Sequence, residues 1–274
     1  AQATPERRQA GLCTEPYLIV EKILADDETL DPRWAADGTT GYDFMDQVGA
    51  LLHAPAARDS LDQFWQRLTG QRDNAPEQLL TARRLMLDRH FVAERQTLVR
   101  ALTRVARLDL RTRDCAAPAI DRVLTAVLTV FPVYRSYAED GGRGTADQAR
   151  LQAALADARR LLGARPGSAD DRLLALLDQW LDGTPGEPQD NSAARALQSA
   201  RDRALRHFQQ LTPPLAAKAL EDTLFYRHAP LLSRNEVGAS PARFSLEPQA
   251  FHAACAARAR DHPDAMLALS LIHI

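Results

Sequence analysis

Apolar positions follow two different periodicities along the chain. Residues 17–24 form a short β-branched apolar run interrupted only by Glu21 and Lys22, which predicts a strand buried on both faces of a parallel sheet. A second strand is predicted at residues 38–44. Between Pro76 and Pro118 there is neither proline nor glycine, and apolar residues recur at steps near 3.6, which predicts at least one long amphipathic helix. Its apolar face consists of Leu80, Leu87, Phe91, Leu98, Leu102 and Val105.

Further helices are predicted from their start and stop signals. Thr145 and Ser168 have side chains that cap a helix N-terminus, and each precedes apolar residues at helical spacing. Residues 192–211 have a helical pattern again. We expect that helix to end at Thr212, because Pro213 and Pro214 cannot continue the backbone hydrogen bonds. The fold class predicted for this chain is therefore mainly α.

The helical pattern divides the chain into three parts. Residues 55–210 form a helical block, whereas residues 1–54 and 211–274 mix strands with irregular polar segments. The second flank contains a predicted helix at residues 248–260 and an apolar run at residues 265–269 that is expected to form another buried strand.

Composition excludes several classes of protein. The 274 residues are 45% hydrophobic and 26% charged, so the chain can bury a sizeable core. Its formal charge of -2 provides no electrostatic attraction to nucleic acid or to an anionic membrane, and no apolar run approaches the length of a membrane span. Three distant cysteines, Cys13, Cys115 and Cys255, fit a reducing compartment, so we expect a cytoplasmic protein. Because the chain begins without methionine and stops without a turn or cap, we expect a piece of a longer protein.

A few polar residues are candidates for chemistry. Glu21 is interpreted as a carboxylate at the end of a buried parallel strand, which is where barrel enzymes gather catalytic groups; a solvated or paired carboxylate beside Lys22 is the simpler alternative. Residues 218–228 combine five ionisable groups with two aromatic residues, and a polar loop without function is the alternative there. Asn235 and Glu236 allow either a functional role or a turn held by side-chain hydrogen bonds. The seven histidines lack ligand spacing, so no metal site is expected.

The strings around these residues resemble one known family, the maltooligosyl trehalose synthases of the α-amylase clan of glycoside hydrolases. The resemblance rests on six strings that occur in the same order as in the family and are spread over nearly the whole chain. Residues 55–130 and 138–205 resemble the family only in having a helical pattern. The strings are Val-Glu-Lys-Ile-Leu at 20–24, Gly-Thr-Thr-Gly-Tyr-Asp-Phe at 38–44, Phe-Pro-Val-Tyr-Arg-Ser-Tyr at 131–137, Phe-Gln-Gln-Leu-Thr at 208–212, the charged segment at 218–227, and Leu-Leu-Ser-Arg-Asn-Glu-Val-Gly at 231–238.

The resemblance implies a fold and an activity. The expected fold is a fragment of a (β/α)8 TIM barrel that carries a large helical insertion at residues 55–210. Residues 1–54 would supply the acid/base strand and the next strand, and residues 211–274 would stop before the last catalytic motif. The implied enzyme is an isomerase of trehalose biosynthesis. It converts the reducing-end α-1,4 bond of a maltooligosaccharide into an α,α-1,1 bond by intramolecular transglucosylation.

The resemblance also implies roles for residues. Glu21 is expected to be the acid/base, and the expected contacts to the maltooligosaccharide are Lys218, Glu221, Asp222 and Arg227. No cofactor is required, and neither nucleic acid nor membrane is an expected partner. The family continues from Ser270 into Thr-His-Asp where this chain reads Leu-Ile-His-Ile, and its nucleophile strand would precede Ala1, so we expect the chain alone to be inactive. Two alternatives stay open: another α-amylase clan hydrolase or glucosyltransferase, and a non-catalytic helical interaction module.

Overall fold

The chain is predominantly helical, as the sequence predicts. A computed structural model describes residues 9–11, 16–25, 28–138, 142–184 and 192–269. The strands are β1 (Ile19–Val20) and β2 (Gly38–Thr39), and the helices are α1 (Tyr42–Leu51), α2 (Arg58–Thr69), α3 (Ala75–Arg89), α4 (Val92–Leu108), α5 (Ala117–Val130), α6 (Thr145–Leu162), α7 (Ala169–Trp180), α8 (Ser192–Ala219) and α9 (Pro248–Asp261). Short 3-10 turns lie at Pro55–Ala57 and Leu232–Arg234, and a π-helical turn lies at Leu220–Leu224.

The chain divides into two compact units. One contains the residues up to Arg72 and those from His228 onward, and we call it the discontinuous unit; the other is Asp73–Arg227, the helical unit. The division between barrel and insertion at residues 54 and 210 stays a prediction. The compact units are divided elsewhere, because α2 is part of the first unit and the helix that begins at Ser192 passes through residue 210 without a break.

The two strands pair in parallel, as predicted. Ile19 lies opposite Gly38 and Val20 opposite Thr39. Each strand is only two residues long, shorter than predicted, and Ile19 and Val20 are only partly buried, so the expectation of a strand buried on both faces is wrong for the described residues. The second strand ends because Gly41 adopts a left-handed conformation with φ 85°, after which α1 begins.

The apolar run at residues 265–269 is not a strand in the part of the chain that the structure describes. It nevertheless lies against β2, where the amide of Met266 donates to the carbonyl of Thr39 at 3.2 Å. The approach requires glycine: a Cβ atom on Gly38 would lie 2.4 Å from Cβ of Ala265, and one on Gly41 would lie 2.2 Å from the carbonyl oxygen of Met266.

The core of the helical unit lies between α4 and α8, with α5 packed against both α4 and α6. The predicted apolar face of α4 is confirmed, because Leu98, Leu102 and Val105 are fully buried. The region from Pro76 to Pro118 contains two helices, α3 and α4, and the start of α5. Phe131, directly after α5, packs edge-to-face on Phe208 of α8 with ring centroids 5.2 Å apart.

The predicted helix starts are confirmed in one case and corrected in the other. Ser168 caps α7, since its hydroxyl accepts the amide of Asp171 at 3.3 Å. Thr145 is instead the first helical residue of α6, and Gly144 occupies the N-cap position without a side-chain hydrogen bond. A capping side chain must belong to the residue before the first helical turn, so the threonine is one position too late.

The end predicted for α8 is wrong. The helix continues through Pro213 and Pro214 to Ala219 and passes into the π-helical turn. A proline inside a helix costs about 3 kcal/mol. Here the flanking residues Leu211 and Leu215 are buried, and burying such side chains offsets a cost of that size.

Candidate functional site

Glu21, the residue expected to be the acid/base, directly follows β1. The residue is exposed, and its Oε1 accepts a hydrogen bond from the hydroxyl of Tyr42 at 2.8 Å. Tyr42 begins α1 and is only 7% exposed, so the donor is held in a fixed position. The carboxylate of Glu21 is therefore oriented by a neighbour while it stays accessible to solvent.

Tyr42 is itself held by the segment at residues 231–238. Gly238 adopts φ 77°, and a Cβ atom there would lie 2.8 Å from Cβ of Tyr42 and 3.3 Å from Cγ2 of Ile23. Only glycine allows this approach. Three strings that resemble one family, at 20–24, 38–44 and 231–238, therefore meet around Glu21.

The residue after Glu21 takes part in a buried ion pair. Lys22 Nζ lies 2.7 Å from Oε1 of Glu28, and both side chains are buried. The other oxygen of Glu28 accepts the amide of Ala25 at 3.2 Å. A buried pair that also satisfies a backbone amide has a defined geometry, so it fixes the chain that follows Glu21.

A second buried cluster lies beneath the segment 231–238. The carboxylate of Asp46 forms ion pairs with Arg234 and Arg243, and it accepts the amide of Ser240 at 3.1 Å. The sequence analysis missed Asp46. The available signal was its position four residues after Tyr42, which places both residues on the same face of α1.

Asn235 and Glu236 are buried rather than solvent-facing. Asn235 Nδ2 donates to the carbonyl of His228 at 2.9 Å, which agrees with the simpler interpretation of a turn held by side-chain hydrogen bonds. The ring of His228 lies edge-on to Trp65, 6.0 Å between centroids. Burial lowers the pKa of His228, and the charge of Asp62 opposes that shift.

The residues predicted to bind sugar lie at the C-terminal end of α8 and just beyond it. Lys218 forms an ion pair with the carboxylate of Asp222 one turn later, and both side chains are about half exposed, 56% and 52%. The hydrogen bond that Lys218 donates to Asp222 is the main cause that raises the pKa of Lys218. Glu221 is partly buried, and Arg227 is exposed three residues beyond the π turn. Lys218, Glu221 and Asp222 thus lie close together at the end of α8, and their role as sugar contacts stays a prediction.

Glu221 is held by a residue that the sequence analysis did not single out. The hydroxyl of Tyr134 donates to Oε1 of Glu221 at 2.6 Å. Burial and the adjacent Glu221 raise the pKa of Tyr134, so the phenol stays protonated and remains a donor. The only signal in the sequence was that Tyr134 falls within the string 131–137.

Arg83 of α3 anchors the same region. Its Nη1 donates to the carbonyl of Phe131 at 2.7 Å and to that of Thr129 at 3.2 Å. Burial lowers the pKa of Arg83 to about 10, and Tyr134 opposes that shift. The guanidinium remains charged at neutral pH and bonds two carbonyls at the C-terminal end of α5.

Glu21 is part of the discontinuous unit, whereas the four predicted sugar contacts are part of the helical unit.

No three His, Cys, Asp or Glu side chains come together at metal-binding distance among the residues that the structure describes. Cys115 and Cys255 are free thiols. Cys13 lies outside the described residues, as does the departure from Thr-His-Asp at 271–274. No helix in the described ranges combines the length and the apolar character needed to cross a membrane.

Comparison with known proteins confirms the resemblance. Two curated proteins from Mycobacterium tuberculosis, strains CDC 1551 / Oshkosh and ATCC 25618 / H37Rv, are 31% identical over 258 residues, 93% of this chain; both are provisionally named maltooligosyl trehalose synthase. The solved structure of maltooligosyltrehalose synthase from Arthrobacter ramosus superposes with a TM-score of 0.73 at 27% identity over 97% of this chain. The chain spans 29% of the length of these curated relatives and 30% of that solved chain, as expected for a piece of such a protein. No family model matches the chain.

Proposed function

We propose that this chain is part of an isomerase that converts maltooligosaccharides into maltooligosyl trehalose by intramolecular transglucosylation. The observation that carries the proposal is the meeting of three family-like strings around one exposed carboxylate, Glu21, whose position is fixed by Tyr42. Similarity to proteins of that name over 93% of the chain supports it.

We propose further that the parallel pair β1 and β2 belongs to a (β/α)8 barrel. In parallel barrels the catalytic groups follow the strands at their C-terminal ends, which is where Glu21 lies relative to β1. In that arrangement residues 1–54 and 211–274 contribute to the barrel and residues 55–210 are the helical insertion. The nucleophile that a retaining mechanism needs would come from a part of the enzyme that this chain does not match.

Glu21 acts twice in the proposed reaction. As an acid it protonates the oxygen of the α-1,4 bond while that bond breaks and the glycosyl group passes to the nucleophile. The released glucose then reorients within the site and presents its own anomeric hydroxyl to the glycosyl group. Glu21, now a carboxylate, takes the proton of that hydroxyl while the hydroxyl oxygen attacks the anomeric carbon of the glycosyl group. The bond to the nucleophile breaks in the same step, and the α,α-1,1 bond forms. The substrate and product have the same atoms, so the net reaction is an isomerisation. Acid-base and covalent catalysis are sufficient for these steps, so the proposed mechanism uses no cofactor.

Retention of the released glucose decides the product. If water reaches the glycosyl-enzyme first, the result is hydrolysis and free glucose. We propose that Lys218, Glu221, Asp222 and Arg227 hold this sugar through its hydroxyl groups, because charged side chains form strong hydrogen bonds with such groups. The ordered cluster at the end of α8 supports this assignment.

The test is product analysis with the full-length enzyme that contains this chain. Maltopentaose should yield a non-reducing product of unchanged mass with an α,α-1,1 linkage. Shorter reducing sugars as the main product would point to a hydrolase, and longer oligosaccharides to a glucosyltransferase; either result would refute the proposal.

A further inference from the structure

The π-helical turn that carries Glu221 is tied to Tyr134, a partly buried residue outside the predicted sugar contacts. We propose that Tyr134 is a positioning residue that fixes the carboxylate of Glu221 and thereby helps to determine whether the released glucose is retained or lost to water. This inference rests on the proposed function, in particular on Glu221 as a sugar contact.

The π turn places Glu221 in an unusual backbone setting. The amide of Phe225 donates to the carbonyl of Leu220 at 3.0 Å, and the hydroxyl of Thr223 donates to the carbonyl of Lys218 at 2.7 Å. A π turn holds one more residue than an α-helical turn, so it redirects the side chains that follow α8. Such turns occur frequently at functional sites, and here the redirected residues include Glu221 and Asp222.

The segment just before Tyr134 is anchored by two contacts within the helical unit. Arg83 of α3 binds the carbonyls of Thr129 and Phe131. The ring of Phe131 packs on Phe208, which lies on the same helix as Lys218. The phenol donor is therefore attached to α3, α5 and α8 together, and its position relative to the π turn is fixed.

A packing role alone does not explain this tyrosine. Burying a hydroxyl costs free energy unless it forms a hydrogen bond, and phenylalanine would fill the same volume without that cost. Tyr134 instead donates to a carboxylate at 2.6 Å, the short distance typical of a charge-assisted bond. Its raised pKa keeps the phenol a donor at neutral pH. The bond therefore holds Glu221 in one orientation.

Loss of the Tyr134 hydrogen bond should affect retention of the released glucose and not cleavage of the α-1,4 bond. Without the phenol, Glu221 loses the donor that orients its carboxyl group, so the released glucose is bound less well and exchanges with water. Bond cleavage itself, which depends on Glu21 and the nucleophile, does not require Tyr134. Removal of the hydroxyl should therefore change the product ratio more than the rate of substrate consumption.

The test uses the full-length enzyme with Tyr134→Phe, Glu221→Gln and the double variant, incubated with maltopentaose. The ratio of free glucose to trehalose linkages should rise by about tenfold in Tyr134→Phe, the change expected when one hydrogen bond to a charged group is lost. In the Glu221→Gln background Tyr134→Phe should have little further effect. Tyr17→Phe is the matched control, since it loses one phenol bond, to the carbonyl of Asp264 in the other unit, and should leave the ratio unchanged.

The possible outcomes are distinct. If Glu221→Gln raises the ratio but Tyr134→Phe does not, Tyr134 is not a positioning residue and only the inference fails. If Glu221→Gln also leaves the ratio unchanged, the proposed sugar contact is wrong and the inference falls with it. Should Tyr134→Phe fail to fold, Glu221→Asp withdraws the carboxylate by one methylene group and must raise the ratio; an unchanged ratio would overturn the inference.

Discussion

Replacement of Gly238 by alanine should damage the packing around Glu21. Gly238 is left-handed, with φ 77°, and the new methyl group would lie 2.8 Å from Cβ of Tyr42 and 3.3 Å from Cγ2 of Ile23. The first contact is with a buried tyrosine at the start of α1, whose Cβ is close to the backbone and cannot simply rotate away. Tyr42 must therefore shift, and its hydrogen bond to Glu21 shifts with it.

The size of the effect follows from two contributions. A non-glycine residue in the left-handed region costs roughly 1–2 kcal/mol. Overpacking by a methyl group adds about 1–3 kcal/mol. The free energy of unfolding of the discontinuous unit should therefore fall by about 2–5 kcal/mol in Gly238→Ala.

Gly70→Ala is a matched control in the same unit. Gly70 has φ 71°, and no heavy atom lies within 4 Å of the position of its Cβ. It carries the backbone cost without the steric one, so its unfolding free energy should fall by only about 1–2 kcal/mol. The difference between the two variants measures the steric contribution.

Urea unfolding followed by tryptophan fluorescence can report this unit alone. Trp34 and Trp65 lie in the discontinuous unit and Trp180 in the helical unit, so the measurement is made in a Trp180→Phe background. Equal losses of stability in Gly238→Ala and Gly70→Ala would refute the reasoning, because they would mean that Tyr42 is not in contact with Gly238.

Three further predictions concern function and pH. Lys218→Ala or Asp222→Ala in the full-length enzyme should release more free glucose per trehalose linkage; unchanged product ratios with lower stability would make both residues structural. Burial lowers the pKa of His228 below its ordinary value of about 6.5, so the unfolded chain binds more protons and stability should fall as pH drops below about 6.5. A His228→Gln variant should lose that part of the pH dependence, and an NMR titration of His228 that gives a pKa above 6.5 would contradict the sign. The 274-residue chain alone should form no trehalose-linked product from maltopentaose, since a retaining mechanism needs two carboxylates; any product that depends on Glu21 would contradict this.

Local sequence patterns predicted the helices well, because a buried helical face is a property of neighbouring residues. The apolar face of α4 and the Ser168 cap of α7 are examples. The end of α8 was wrong for the opposite reason: the preference of Pro213 and Pro214 is local, whereas the packing that overrides it comes from distant parts of the chain.

The candidate site was predicted in part. The sequence identified Glu21 and the cluster at the end of α8 as sets of charged residues in recognisable strings. It did not identify Tyr134, which donates to Glu221, or Asp46, which pairs with Arg234. These hydrogen bonds join residues 87 and 188 positions apart. Such pairs have no periodicity along the chain. They become visible only when the backbone brings the partners together.

The central claim, that Glu21 is the acid/base of a trehalose-forming isomerase, is tested most directly by its amide variant. Glu21→Gln in the full-length enzyme should lower turnover of maltopentaose by roughly 10²- to 10⁴-fold for each role that the residue plays. Glu247→Gln, an exposed carboxylate of the same unit, should leave turnover unchanged. A Glu21→Gln enzyme with near full activity would contradict the account.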